Sequence, residues 1–196
     1  MITRKRKLTT NSDAQLVRLI ETIRWHTIRY DNLRASLANR ASFVVSVDAV
    51  LIAGVSFLFS WIARRSIFGG KVTLIVLGCA MLLAVVFALL SVRQASRALI
   101  SSKSWRKLFN VEPPPSLVYQ HSDTIKAVPA YADFSATLRR QSLNSEIEAA
   151  TVNLWLVLHT HAYRYRFLRR ATNELQVAIL AFAGAATLAV TLGLIA

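Results

Sequence analysis

Cysteine is almost absent from this 196-residue chain: Cys79 stands alone, so no intrachain disulfide forms and no cysteine-based metal site is available. It lies in an apolar run and is expected to be a small core residue. Acidic residues are scarce as well, 10 against 24 Lys plus Arg, which leaves a net charge of +14. Such an excess suits nucleic acid, anionic lipid or an anionic ligand, and the placement of the charges decides among them. Catalytic signatures are missing too. The sequence holds no HExxH, no glycine-rich phosphate loop, no GxSxG and no clustered carboxylate pair. His159 and His161, two apart on a helix, point to different faces and cannot share a metal without another source of ligands. No enzyme, catalytic residue, cofactor or metal site is therefore expected. His26 and His121 stand alone, and lone histidines are more often solvated or packed than functional. No apolar stretch follows the basic start at signal-peptide distance, so the chain is expected to begin at Met1, uncleaved.

What is abundant is apolar side chain, 54% of the residues. A spanning helix needs about 20 mostly apolar residues, because the hydrocarbon core is about 30 Å thick and a helix rises about 1.5 Å per residue. Three segments qualify: residues 41–63, whose one charge is Asp48, and the charge-free residues 72–92 and 175–196. Arg64, Arg65 and Lys71 bracket a short connection carrying Gly69-Gly70, which makes the first two spans an antiparallel hairpin. Lys and Arg number nine in residues 1–40, three in residues 64–71 and twelve in residues 93–170. Basic residues near the ends of spans mark the cytoplasmic side. The amino terminus and residues 93–174 are thus expected inside, and the carboxyl terminus outside.

The helices are expected to outrun the membrane. Ser12-Asp13-Ala14-Gln15 reads as a capping box, and no Gly or Pro intervenes between it and the first span, so one helix is expected from Asp13 to Ile62. The second span is expected to continue past Arg93, Arg97 and Trp105 to Leu108, until Pro113-Pro114-Pro115 stops it. A third helix is expected from near Asp133 straight into the third span, with Leu143, Ile147, Ala150, Leu154, Val157, His161 and Leu168 on an approximate heptad. The fold class is therefore all-α: an integral membrane protein with three transmembrane helices extended by long cytoplasmic stalks that form a small bundle. Its segments are a basic tail and amphipathic helix (1–40), a hairpin (41–92), a helical region (93–174) and the third span (175–196). The helical region carries a loop, 111–132, which is either functional or disordered.

Ser42, Ser46, Ala49, Ala53, Ser56 and Ser60 recur at alternating steps of four and three, forming one stripe of small residues on the first span. Ala181, Ala185, Ala189 and Gly193 repeat every fourth residue on the third, and Ala80, Ala84 and Ala88 do so on the second. Small stripes let helix backbones approach. Packing within the chain is one reading; the other has the four serine hydroxyls lining a pore shared between copies. Asp48 lies roughly 120° around the helix from the serine stripe. A carboxylate in hydrocarbon is costly enough to need a partner, so Asp48 has a gating, ion-contact or assembly role or is an internally hydrogen-bonded structural residue. The run Tyr163-Arg-Tyr-Arg-Phe-Leu-Arg-Arg170 suits headgroup anchoring. Basic residues that flank spans meet lipid phosphates, so nucleic acid is not expected as a partner.

The stretch Arg29-Tyr-Asp-Asn-Leu-Arg-Ala-Ser-Leu-Ala-Asn-Arg40 leading into the first span, and Tyr163 to Arg170 leading into the last, resemble the transmembrane effectors of Pycsar-type, or SLATT-like, bacterial cyclic-nucleotide antiphage systems. The resemblance covers the architecture of most of the chain. It implies a location in the bacterial inner membrane. It also implies a homo-oligomeric effector that senses a nucleotide second messenger and permeabilises that membrane in antiviral defence. No recognisable nucleotide-binding domain is present, so a ligand would meet the stalks or the 111–132 loop. Arg139 and Arg140 with Tyr119 or Tyr131 are the contacts expected by chemical type. Anionic lipid, further copies of the chain and a cyclic nucleotide are the partners this implies. The alternative is a non-catalytic scaffold or assembly subunit that binds a cytoplasmic partner through its stalks. A secondary transporter is disfavoured, since three spans provide no inverted repeat and no helix broken at mid-membrane.

Overall fold

The computed structural model describes the backbone over residues 2–64, 71–100, 128 and 130–195, and the side chains over 14–64, 72–100, 128 and 130–192. The described residues form four α-helices and no strand: α1 (Ile2–Arg64), α2 (Lys71–Leu99), α3 (Tyr131–Arg139) and α4 (Leu143–Ile195). At about 1.5 Å per residue, the 63-residue α1 is about 95 Å long and the 53-residue α4 about 80 Å. Each exceeds the hydrocarbon thickness of about 30 Å more than twofold, so part of each helix extends beyond any membrane it crosses.

Three boundaries differ from the sequence reading. The first helix begins at Ile2 rather than Asp13. A serine starts a helix only where the backbone before it is non-helical, and no breaker precedes Ser12. The second ends at Leu99, short of Leu108; Ile100 has left the helix although its N–H still bonds to the Ser96 carbonyl at 2.9 Å. The expected continuation past Ile100, the proline stop and most of the 111–132 loop lie outside the described residues. Finally, the helix expected from Asp133 is broken. Arg140 closes α3 with its N–H shared between the Ala136 and Thr137 carbonyls at 3.2 Å each, and Ser142 starts α4 by accepting the Ser145 N–H at 3.3 Å. Ser142 is thus an N-cap, whose competing side-chain bond breaks a run that hydropathy alone would continue.

The chain divides into two compact units, a polar one (Met1–Arg34, Ser102–Ala162) and an apolar one (Ala35–Ser101, Tyr163–Ala196). In the apolar unit, α1 buries Leu37, Ala41, Val44, Asp48, Leu51, Val55, Leu58 and Ile62. On α2 the buried set is Leu77, Met81, Ala84, Ala88, Ser91, Ala95 and Ala98, and on α4 it includes Leu168, Ala171, Leu175, Ala178, Ala185 and Ala189. Steps of three and four average 3.5, the period of left-handed coiled-coil packing. Branched residues dominate the α1 seam and alanines the other two, so large side chains fill the space that small ones leave. Close approach is measurable at Gly54, where an added Cβ would fall 3.0 Å from Phe182 Cζ of α4.

Outside this seam the unit is greasy. Phe43, Val50, Phe57, Val72, Leu82 and Leu180 are all exposed, Phe57 by 74%. Three helices are long and apolar enough to cross a membrane, and in each only 22% of the most apolar stretch is buried within the chain. An exterior this rich in large apolar side chains suits lipid and not water. Cys79, expected in the core, is on that exterior. Its position on α2 falls between the buried Leu77 and Met81, off the 3.5-residue seam.

Candidate functional site

The seam of α1 carries one charged residue and that of α2 one hydroxyl, and the fold brings them together. Asp48 and Ser91 are both 0% exposed, and Ser91 Oγ donates a hydrogen bond to Asp48 Oδ2 at 2.7 Å. The hairpin dictates this pairing. Moving away from the bond in opposite directions along the antiparallel helices, buried positions match step for step: Leu51 with Ala88, Val55 with Ala84, Val44 with Ala95. A carboxylate placed among such neighbours without a partner is costly, and the serine hydroxyl offsets part of that cost.

The offset is incomplete. Asp48 Oδ1 is buried without a hydrogen-bond partner, and so are Gln94 Oε1, one turn beyond Ser91 on α2, and Glu174 Oε2 on α4. Glu174 also acts electrostatically on Asp48. Each of the three helices therefore contributes a buried polar acceptor to the apolar unit, two of them carboxylic. Such a group can accept a proton, a cation or a further hydrogen-bond donor. Among the described residues no three His, Cys, Asp or Glu side chains gather as metal ligands.

The serine stripe faces elsewhere. Ser42, Ser46, Ser56 and Ser60 are exposed on the apolar unit, and three hydroxyls turn back on their own helix: Ser46 to Ser42 O at 3.1 Å, Ser56 to Ile52 O at 3.0 Å and Ser60 to Ser56 O at 2.9 Å. Among the described residues the stripe is thus not the surface by which α1 packs, whereas Ala185 and Ala189 of α4 are buried in the seam and Ala181 is half-buried. The side-chain surroundings of Gly193, and Tyr119 altogether, lie outside the described residues.

In the polar unit, Tyr131 begins α3 and Arg139 ends it, with Arg140 next; α3 buries no residue, and Tyr131 is 83% exposed. Eight or nine residues apart on a helix, the two arginines stand about 80° and 180° around the axis from Tyr131, so the three side chains do not converge. A groove of about 450 Å³ lies instead against Arg24, Leu138, Gln141, Glu146 and Asn153, where Arg24 and Glu146 form an ion pair. The unit's small core is made by Ile20, Ile23, Val152 and Leu156. His161 sits beside Tyr30, the rings edge to face at 5.5 Å, with Nδ1 buried and unpartnered; burial holds its pKa below the usual 6.5.

Ser91, Gln94 and Glu174 were not singled out in the sequence, although a signal for the first was present. Thr73 and Ser91 are the two hydroxyls in residues 72–92, and an antiparallel hairpin turning near Gly69 sets the second, not the first, at the depth of Asp48. No signal marked Gln94 or Glu174, since both stand next to polar flanks. No family model, curated protein or solved structure matches the chain.

Proposed function

We propose that this chain is a non-catalytic membrane effector: the polar unit receives a ligand, and the apolar unit responds by assembling with further copies and permeabilising the bilayer. The observation that carries this reading is continuity. α1 and α4 each run unbroken from one unit into the other, through residues 34–35 and 162–163, so a change in helix packing in the polar unit acts on the same helices that form the apolar seam. Among the described residues, three helices around an occupied seam leave no wide channel, so a pore has to be shared between copies. The exposed serine stripe gives α1 a face on which another helix can approach closely. The sequence resemblance supports a cyclic nucleotide as the ligand, the bacterial inner membrane as the location and antiviral defence as the setting; the basic flanks support a cytoplasmic amino terminus.

Inducible expression in bacteria, with membrane potential and viability followed with and without added cyclic mononucleotide, tests the proposal. Nucleotide-dependent depolarisation that Ser46→Leu/Ser56→Leu abolishes is the expected result. An intact potential at confirmed membrane expression would defeat it. A second reading, a membrane scaffold, is favoured by one observation: Trp25, Ile28 and Trp155 are large apolar side chains exposed on the polar unit, outside the apolar runs 41–63, 72–92 and 175–196. A stable stoichiometric partner in pull-downs, lost with Trp25→Ser/Ile28→Ser, would support it.

A further inference from the structure

Within the apolar unit, α1 and α4 leave between them an open groove of about 590 Å³. Its position is set by the sequence: Asn39-Arg40 come immediately before the first apolar run and Asn173-Glu174 immediately before the last, so the groove straddles the step from polar to apolar side chains on both helices. Its lining is divided accordingly. Arg40, Arg169, Asn39 and Asn173 supply cationic and hydrogen-bonding groups, and Phe43 and Leu175 supply apolar wall. Among the described residues the charged side chains of the lining are the two arginines. Neither makes an ion pair or hydrogen bond among the described residues, unlike Arg24, which pairs with Glu146.

Two unpaired guanidinium groups facing one cavity repel each other unless an anion lies between them, and guanidinium forks match phosphate oxygens. An apolar wall that continues from the same cavity along a spanning helix suits an acyl chain, which a free phosphate or a nucleotide lacks. We infer that this groove binds the phosphodiester headgroup of an anionic glycerophospholipid, with Arg40 and Arg169 on the phosphate and Phe43 and Leu175 against the first acyl carbons. The inference rests on the reading of α1 and α4 as membrane-spanning. It replaces a diffuse attraction to anionic lipid by one site, in the leaflet from which both helices enter the bilayer.

The full chain, reconstituted in phosphatidylcholine nanodiscs containing phosphatidylglycerol and released into uncharged detergent, is examined by native mass spectrometry for retained lipid. Wild type is expected to retain phosphatidylglycerol in preference to phosphatidylcholine. Arg40→Gln/Arg169→Gln is expected to weaken retention on the order of tenfold or more, whereas Arg40→Lys/Arg169→Lys keeps the charge and most of the preference. Arg93→Gln/Arg166→Gln removes the same charge from exposed positions outside the groove and is expected to weaken retention far less than the groove pair does. Equal loss in that control would overturn the site in favour of non-specific attraction. Equal retention of phosphatidylcholine would overturn the headgroup assignment, and displacement of the lipid by a cyclic mononucleotide would make a free phosphate the occupant. A chain that fails to enter the nanodisc defeats the membrane reading itself; one that enters without selective retention defeats this site alone.

Discussion

Ser91 on α2 donates its hydroxyl proton to Asp48 on α1 across 2.7 Å, at the one layer of the apolar seam where both helices present a polar side chain. The bond fixes the register of the hairpin, because sliding either helix by one position would leave Asp48 against an aliphatic neighbour. Membrane helices gain little from the hydrophobic effect between them, so a single polar match of this kind weighs heavily in choosing one packing over another.

A double-mutant cycle on this pair measures that weight. Ser91→Ala leaves a buried carboxyl with no donor and should destabilise the protein by about 1–3 kcal/mol. Asp48→Asn/Ser91→Ala should cost less than the two single changes added together, with a coupling of about 0.6–1.7 kcal/mol. Reversible unfolding in mixed micelles reads these values; strict additivity would show that the bond does not hold the helices.

Gly54 offers a steric counterpart. A Cβ at this position meets Phe182 Cζ at 3.0 Å, and branching it further drives the side chain into the ring. Gly54→Val should therefore destabilise the α1–α4 contact by about 1–3 kcal/mol, and Phe182→Ala should recover part of that loss. Thermal denaturation in detergent checks both; a neutral Gly54→Val would place α4 elsewhere.

His161 makes the polar unit pH-dependent. Burial lowers its folded pKa below 6.5, so the folded state refuses a proton that the unfolded chain accepts. Stability from this group is complete above pH 6.5 and is lost as pH falls from 6.5 through the folded pKa. Hydrogen exchange of the α1 segment around Tyr30 should accelerate as pH falls from neutral to about 5, beyond the intrinsic pH dependence of exchange, and His161→Phe should flatten that excess.

The Arg24–Glu146 pair should matter little, because its side chains are 65% and 40% exposed and water screens them. Arg24→Gln is expected to change stability by less than about 1 kcal/mol in chemical denaturation, and by less still at high salt.

Cys79 is a native probe of the membrane assignment. It is exposed on α2 within the charge-free run, where lipid would exclude aqueous reagents. A water-soluble maleimide should leave it unmodified in intact membranes and modify it after unfolding in dodecyl sulfate. Rapid labelling in membranes would put this face of α2 in water.

The sequence by itself determined the helical class, the three apolar runs and the antiparallel hairpin, because each follows from composition over about 20 residues and from what breaks a helix. It also marked Asp48 as needing a partner. The partner itself was decided by tertiary structure. Ser91 becomes special only when the hairpin register sets it beside a carboxyl, and the groove at Arg40 and Arg169 exists only because α1 and α4, distant in sequence, run side by side. Which small stripe is buried was decided there as well. Serine and alanine are alike in size, so the period that places Ala185 and Ala189 in the seam equally describes the serines that face outward. The local break was missed for another reason: at Ser142 a side-chain bond to the Ser145 N–H outweighs a helical pattern that hydropathy carries straight through. Periodicity reports that a face exists, and only packing against the other helices decides what that face meets.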